Sequence, residues 1–164
     1  MSNSILTEQD VLAIFEQTGA IQKGHFLLTS GLHSDTYIEK FQVLQYPQHT
    51  SLLCQELARR FEKANIQVVV GPTTGGIIIA FEVAKWLGCR AIYAEREADK
   101  RVLRRGFKTA VGERALIVDD VVTTGGTIRD IMELVHQQGG ELLGVGMLID
   151  RSGALCFDVP MEKL

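Results

Sequence analysis

The sequence has little cysteine. Among its 164 residues only Cys54, Cys89 and Cys156 are cysteines, and they lie far apart with no Cys-x-x-Cys pair. An odd number of widely spaced cysteines argues against a disulfide framework and against a zinc site. We therefore expect buried or free thiols.

Long hydrophobic runs are also absent from the sequence. The longest apolar run, Ile77–Phe81, is far shorter than the roughly 20 residues needed to span a bilayer. The first ten residues contain neither the basic segment nor the apolar stretch of a secretory signal. We expect a soluble, cytoplasmic protein without a membrane partner.

A strong net charge is missing as well. The chain carries −3 at pH 7, which gives no general attraction to nucleic acid, so we expect no nucleic-acid partner. Segment 96–108 departs from this balance, because it holds two acidic residues, Glu97 and Asp99, against six basic ones. We expect it to form a long loop that meets an anion, the alternative being a solvated charged surface. The basic residues are Arg96, Lys100, Arg101, Arg104, Arg105 and Lys108.

The middle of the chain alternates short β-branched runs with helical segments. Because strands joined by helices form right-handed crossovers, this pattern predicts an α/β fold with a parallel sheet flanked by helices. The predicted strands are 68–70, 91–93, 116–118 and 143–149, and the predicted helices are about 76–87 and 126–138.

The N-terminal third predicts a small cap on that sheet. A helix from about 8 to 18 would follow Thr7 as its N-cap, and two short strands, near 25–29 and 36–39, would follow the helix. After Pro47 a further helix would carry Leu52, Leu53, Leu57 and Phe61 on one apolar face. We predict one domain, 1–164, in which 1–45 form mainly the cap, 46–155 the core and 156–164 the start of a C-terminal cap segment.

The segment Ala115–Ile128, ALIVDDVVTTGGTI, carries the clearest chemical signal. It predicts a buried strand that ends in two carboxylates, then a turn rich in threonine and glycine, then a helix. Such a turn gathers free N–H groups and the positive end of the helix dipole around one point, which favours a phosphate. Gly125 and Gly126 allow the backbone to approach the anion closely.

The adjacent carboxylates of Asp119 and Asp120 refine this prediction. Beside a phosphate they would repel it, unless they bind hydroxyl groups or a cation. A ribose 5-phosphate satisfies both parts, with its diol at the acids and its phosphate at the turn. The sequence has no GxxxxGK[ST] motif, and Gly144-Val-Gly146 lacks the third glycine of a dinucleotide fingerprint. The alternative is a capped turn with a purely structural role.

Segment Val118–Thr127 resembles the PRPP-binding motif of the type I phosphoribosyltransferases. Two further segments resemble the orotate branch of that family: Gly24–Ser34 its base-side segment, and Leu148–Gly153 the segment that carries its arginine. The resemblance covers roughly residues 8–160. It implies a type I phosphoribosyltransferase-like fold with an N-terminal hood, and a homodimer.

The implied activity is transfer of the ribose-5-phosphate of PRPP to orotate, giving orotidine 5'-phosphate and pyrophosphate in UMP synthesis. Magnesium would be held mainly through PRPP, with no metal ligand assigned to the protein. Two alternatives remain open: a phosphoribosyltransferase for a purine or uracil, and a non-catalytic regulator that senses PRPP.

The resemblance also implies the site residues. A second loop, Val70–Gly76, would bind the pyrophosphate, although taken alone it could be a tight strand–helix connection. Segment 96–108 would close over the reacting centre, with Arg104 and Arg105 as second choices after its catalytic cations. Orotate would contact Thr123 and Arg151, unless Arg151 simply pairs with Asp150 at the surface, and His33 alone among the histidines could line the base pocket. The catalytic set is Arg96, Lys100, Asp119 and Asp120. PRPP would contact that set together with Thr73, Thr74, Gly75, Gly76, Val121, Val122, Thr123, Thr124, Gly125, Gly126 and Thr127.

Overall fold

The N-terminal part of the protein consists of a helix and an antiparallel two-stranded ribbon. The computed structural model describes residues 6–28 and 31–164. The elements are α1 (Glu8–Gln17), β1 (Ile21–Leu27), β2 (His33–Ile38) and the short α2 (Phe41–Leu44). The predicted helix and its cap are confirmed: Thr7 Oγ1 accepts a hydrogen bond from Asp10 N, and the Asp10 carboxylate accepts one from Thr7 N.

The predicted pair of strands is confirmed, but it begins earlier in the chain than expected. Residue Ile21 already pairs with Ile38, and a register shift between Lys23 and Phe26 bends the ribbon. Thr29 and Ser30, at the end of the predicted first strand and in the connection, lie outside the described residues.

The core is a six-stranded sheet flanked by helices, which confirms the predicted α/β class. Four central strands run parallel, and the order across the sheet is β5-β4-β3-β6-β7-β8. The core elements are α3 (Pro47–Arg60), a 3-10 turn (Glu62–Ala64), β3 (Val68–Pro72), α4 (Gly75–Leu87), β4 (Arg90–Glu97), β5 (Lys100–Leu103), β6 (Arg114–Val122), α5 (Gly126–Gln137), β7 (Glu141–Asp150) and β8 (Met161–Lys163).

The two faces of the sheet bury two apolar clusters. Alternate residues of each strand point to opposite faces, so Val69 belongs to one cluster and Val68 to the other. The first cluster includes α1, α3 and α4, and the second includes α5. Leu53, Leu57 and Phe61 are buried as predicted, whereas Leu52 is 40% exposed, which corrects its assignment to the buried face.

The chain order of the strands reverses between β3 and β6. From β3 the chain moves outward to β4 on one side, and from β6 it moves to β7 on the other. In open α/β sheets, ligands bind at the carboxyl ends of the strands at such a point. The two loops singled out in the sequence leave these two neighbouring strands.

The basic segment is a hairpin, which corrects the expectation of a long loop. β4 continues to Glu97, turns at Ala98 and Asp99, and returns as β5, antiparallel to β4. Ala94 at the base of this ribbon is buried, but residues 95–102 are half-exposed or exposed on both faces and are mostly polar. The hydrophobic alternation that reveals a half-buried strand is therefore missing from its sequence.

The C-terminal residues also depart from the prediction. Met161–Lys163 pairs parallel to β7 and forms the edge strand of the core sheet, instead of starting a cap segment. The free edge of β7 explains this pairing, because unpaired main-chain groups of an edge strand favour the addition of another strand. In the described ranges, no helix is both long enough and apolar enough to traverse a bilayer.

Helix α3 offers a matched test of the core. Leu57 is fully buried and Leu52 is 40% exposed on the same helix. We expect Leu57→Ala to lower the free energy of unfolding by about 2–5 kcal/mol, because it leaves a cavity in the first cluster. Leu52→Ala should change it by less than about 1 kcal/mol. Urea unfolding followed by circular dichroism measures both, and equal losses would contradict the assigned burial.

Candidate active site

The turn after β6 has the geometry of a phosphate-binding loop. Gly125 caps α5 with a φ of +75°, a conformation that glycine adopts without strain. Among the residues described, the N–H groups of Thr123, Thr124 and Gly125 donate no hydrogen bond within the protein. A small cavity of about 50 Å³ lies at this turn, lined by Asp119 and residues 121–128. The structure thus brings Asp119 and all seven predicted loop residues, 121–127, to one cavity at the N-terminus of α5.

The two predicted carboxylates occupy different surroundings. Asp119 lines the loop cavity, and its Oδ1 accepts a hydrogen bond of 2.8 Å from Asp120 N. Asp120 is not among the residues lining that cavity. Its Oδ1 lies 3.2 Å from Lys40 Nζ and accepts a 2.6 Å hydrogen bond from Val121 N. Both residues are buried, with 8% and 3% of their surface exposed.

The burial of Asp119 changes its acidity. Loss of hydration raises the pKa of the Asp119 carboxyl to about 7, with the negative charge of Asp120 acting in the same direction. The hydrogen bond from Asp120 N and the charges of Lys40 and Arg101 oppose this rise. Asp119 therefore titrates near neutral pH.

The loop after β3 lies directly against the end of β6. A Cβ atom on Gly75 would overlap the Asp120 carboxylate, so only glycine permits this approach. Thr73 N donates to Ala94 O on the neighbouring β4, and the Thr73–Thr74 peptide is cis. The predicted residues Thr73–Gly76 therefore lie between β3 and the start of α4, where Gly75 contacts the acid pair at the end of the neighbouring β6.

The basic hairpin reaches both loops. Arg101 Nη1 donates to Thr73 Oγ1 at 2.9 Å and to Thr73 O at 3.3 Å. No hydrogen bond joins the predicted cations Arg96 and Lys100 to residues 73–76; the Arg96 guanidinium instead donates to Ala98 O. Together with Arg101 they line a cavity of about 290 Å³, shared with Asp99, Thr124, Gly126, Thr127 and Asp130.

The second-choice cations form ion pairs within the hairpin. Arg104 pairs with Glu97, and Arg105 pairs with Glu95 at 2.7 Å. Sequence reasoning missed Arg101 because a loop gives no information about which cations share a face. Had a hairpin been predicted over 94–103, the alternation of side chains along a strand would have separated Lys100 and Arg101 onto opposite faces.

The two predicted orotate residues follow neighbouring strands. Val122 and Asp150 are register partners and the last residues of β6 and β7, so Thr123 and Arg151 directly follow these strands at the same sheet edge. The Arg151 side chain is exposed. The alternative of an Arg151–Asp150 ion pair is not what the structure shows, because the Asp150 carboxylate pairs with Lys163 at 3.1 Å and accepts hydrogen bonds from Ser152.

A C-terminal segment packs against the phosphate loop, which the sequence did not indicate. A Cβ atom on Gly125 would overlap the Leu155 side chain and crowd Phe157. Arg129 lies over the Phe157 ring at 5.6 Å and donates to Thr124 O at 2.9 Å. Glycine at 125 is thus required both by its dihedral angle and by this close contact.

The histidines of the ribbon pair with each other. His25 Nε2 lies 2.7 Å from His33 Nδ1, and both rings are exposed on neighbouring strands. No group of three or more His, Cys, Asp or Glu residues within 6–28 and 31–164 is placed to hold a metal ion.

Comparison with known proteins identifies the family. The phosphoribosyl transferase domain model matches residues 47–155. The orotate phosphoribosyltransferase of Caldanaerobacter subterraneus subsp. tengcongensis is 50% identical over 160 residues, covering 97% of this chain and 84% of that protein. The protein of the same name from Pelotomaculum thermopropionicum is 51% identical with the same coverage.

A solved structure agrees with this relationship. The crystal structure of orotate phosphoribosyltransferase from Aeropyrum pernix superposes with a TM-score of 0.78 at 25% identity, covering 94% of this chain and 93% of that one. With a phosphate loop, an adjacent acid pair and a matching fold in place, the chain belongs to the orotate phosphoribosyltransferase family.

Proposed function

We propose that this protein transfers the ribose-5-phosphate of PRPP to orotate, giving orotidine 5'-phosphate and pyrophosphate in pyrimidine synthesis. The observation that carries the proposal is the cavity at the start of α5, where Asp119 meets the phosphate loop. About 50% identity to relatives named for this reaction supports orotate over a purine or uracil. We also propose a cytoplasmic location, as expected from the sequence.

The 5'-phosphate of PRPP binds at the turn after β6 in this proposal. The free N–H groups of Thr123–Gly125 and the positive end of α5 stabilise its charge. The loop hydroxyls add further donors. The ribose diol then faces Asp119, whose carboxylate accepts hydrogen bonds from the hydroxyl groups once it is ionised.

The pyrophosphate of PRPP lies between Thr73–Gly76 and the basic hairpin. Arg101 already reaches Thr73, so its guanidinium lies beside the space that this group would occupy. Arg96 and Lys100 line a cavity together with Arg101 and add positive charge there. Charge developing on the leaving group is stabilised by such fixed donors, typically by about 3–4 kcal/mol for one well-placed group.

The orotate base binds beside the end of β7. The guanidinium of Arg151 offers a planar fork to the carboxylate and imide edges of the base, and Thr123 adds a hydroxyl group. Orotate attacks C1 of the ribose as the bond to pyrophosphate breaks, through an oxocarbenium-like transition state. The protein's task is therefore to orient the reactants and to stabilise the leaving group.

In this proposal magnesium binds as a complex with PRPP. The amides, hydroxyls and cations around the two loops suit phosphate oxygens. Carboxylates are also present, Asp119 in the phosphate-loop cavity and Asp99 and Asp130 in the hairpin cavity, but no protein ligand is assigned to the ion. When bound through pyrophosphate and ribose oxygens, magnesium would neutralise charge on the leaving group.

An exposed apolar surface supports a homodimer, the assembly that the family resemblance implies. Helices α2, α3 and α4 pack against one another. Six large hydrophobic side chains on these helices and at Tyr46, just before α3, are at least 37% exposed. Single exposed apolar residues are ordinary on a protein surface, but a group of this size indicates an interaction surface. They are Phe41, Tyr46, Leu52, Ile78, Phe81 and Trp86. We propose that a second copy of the chain covers this surface.

The function is tested by mixing the protein with magnesium, PRPP and orotate, uracil, adenine or hypoxanthine. We expect turnover with orotate alone. PRPP binding without turnover would favour a regulator, and turnover with another base would contradict the proposed specificity.

Arg151→Met should raise KM for orotate at least about tenfold, since a hydrogen bond to a charged group contributes roughly 1.5–3 kcal/mol. Arg151→Lys keeps the charge but loses the planar fork, so its KM for orotate should lie between those of the wild type and Arg151→Met. KM for PRPP should stay near the wild-type value in both variants.

Arg101 and Arg104 give a matched pair for the pyrophosphate side. We expect Arg101→Met to lower kcat/KM for PRPP by about a hundredfold, because it removes the guanidinium held at Thr73. Arg104→Met removes an exposed cation that pairs with Glu97 and should lower it less than about threefold. Steady-state kinetics measure both values, and equal effects would contradict the role given to Arg101.

The assembly is tested with two apolar-to-acidic substitutions. Phe81 and Val111 are 64% and 88% exposed, but only Phe81 lies on the proposed interface. We expect Phe81→Glu to convert the dimer to a monomer, because it buries an unpaired charge in the contact. Val111→Glu should leave the dimer intact. Analytical ultracentrifugation measures the mass of each, and a dimeric Phe81→Glu protein would contradict this interface.

A further inference from the structure

Lys40 is a charged residue at the site to which the sequence pattern assigned no role. It lies between the end of β2 and α2, and its Nζ is 3.2 Å from Asp120 Oδ1. The Lys40 side chain is 36% exposed, whereas the Asp120 side chain is 5% exposed. A partly hydrated cation from the cap thus reaches a buried anion at the end of the central strand.

The surroundings of Asp120 leave it dependent on Lys40. Val121 N donates to Oδ1, and the other carboxylate oxygen, Oδ2, faces the Cα atom of Gly75. Within residues 6–28 and 31–164 no other cation forms an ion pair with Asp120. Removing one partner of a buried ion pair leaves an uncompensated charge, which is strongly unfavourable.

Lys40 also acts on Asp119, the second carboxylate of the acid pair, through its positive charge. The two carboxylates are adjacent in the chain and joined by the hydrogen bond from Asp120 N to Asp119 Oδ1. The charged groups that act on Asp119 come from three elements: Asp120 on β6, Lys40 at the start of α2 and Arg101 on β5. Of these, only the two cations favour an ionised Asp119.

We propose that Lys40 is a positioning residue for PRPP: its ammonium group holds Asp120 against Gly75 and offsets one of two adjacent negative charges, so that Asp119 accepts the ribose hydroxyls. This inference rests on the proposed function. Lys40 acts through Asp120 and does not itself contact the sugar. It couples the cap to the sugar site, because the segment that follows the cap ribbon supplies the cation.

The direction of the pH effect follows from these charges. Burial and Asp120 raise the pKa of Asp119 to about 7, and Lys40 opposes them. An ionised Asp119 is required, so kcat/KM for PRPP should fall as the pH drops through this pKa. Without Lys40 the pKa rises further, and the fall in kcat/KM begins at a higher pH.

The test compares Lys40→Met and Lys40→Arg with Lys63→Met, which removes an exposed lysine in the 3-10 turn after α3. Kinetics with PRPP are measured from acid to alkaline pH on samples whose melting temperature is also recorded. We expect Lys40→Met to raise KM for PRPP about tenfold or more at neutral pH, an effect of roughly 1.4 kcal/mol. In Lys40→Met the acid limb of the pH profile of kcat/KM for PRPP should move to higher pH. Lys40→Arg should restore both values toward wild type, and Lys63→Met should match wild type.

A double variant separates positioning from general stability. If Lys40 acts by offsetting the charge of Asp120, then Asp120→Asn should return the acid limb of Lys40→Met toward lower pH. An acid limb that stays at its wild-type position in Lys40→Met overturns the inference, including the case in which only the melting temperature falls.

Failure of the proposed function would be recognised separately. If the wild-type protein does not convert PRPP and orotate, calorimetric titration with PRPP and magnesium replaces the kinetics. Weaker PRPP binding by Lys40→Met than by wild type and Lys63→Met then supports the inference, and equal binding overturns it.

Discussion

Two adjacent carboxylates are buried at the carboxyl end of β6, and much of the surrounding structure accommodates them. Buried anions are unfavourable unless they are hydrogen-bonded and paired with a cation. Asp120 meets this requirement through Val121 N and Lys40, and Gly75 supplies the space for its carboxylate. Asp119 meets it only in part, which is why its pKa is raised to about 7.

This arrangement depends on the order of the strands. Because the chain reverses direction across the sheet between β3 and β6, the loops after these strands have no neighbouring crossover helix between them. The loop after β3 can therefore press against the end of β6, while α5 begins on the opposite side of Asp119. One buried acid pair thus separates a phosphate loop from a second, glycine-rich loop.

Two cations from different parts of the fold act on the acid pair. Lys40, from the segment that follows the cap ribbon, forms an ion pair with Asp120, whereas Arg101, from the hairpin at one edge of the sheet, contacts Thr73 and acts on Asp119 through its charge. Neither belongs to the strand–turn–helix segment at 115–128, so the electrostatics of the site depend on correct packing of the whole domain. The packing of Leu155 and Phe157 against Gly125 adds a third connection, from the C-terminal residues to the phosphate loop.

The local sequence determined the elements and the phosphate turn. Thr7 and Asp10 specify the cap of α1, the β-branched runs specify the buried strands, and ALIVDDVVTTGGTI specifies a strand, a turn and a helix, because each signal depends on neighbouring residues. The α/β class and the type I family followed from these segments, the orotate branch followed from Gly24–Ser34 and Leu148–Gly153, and all three are confirmed. The hairpin at 94–103 escaped prediction because residues 95–101 are mostly polar on both faces and show no hydrophobic period.

Only the tertiary structure decided which side chains meet. It directed Asp119 to the cavity and Asp120 to Lys40, selected Arg101 to contact Thr73, and paired Arg104 and Arg105 with glutamates of the hairpin. It also paired Asp150 with Lys163 and placed Met161–Lys163 at the edge of the sheet. Each of these contacts joins residues on separate elements or depends on the face to which a side chain points. Such contacts are fixed by strand register and packing, which leave no signal in the local sequence.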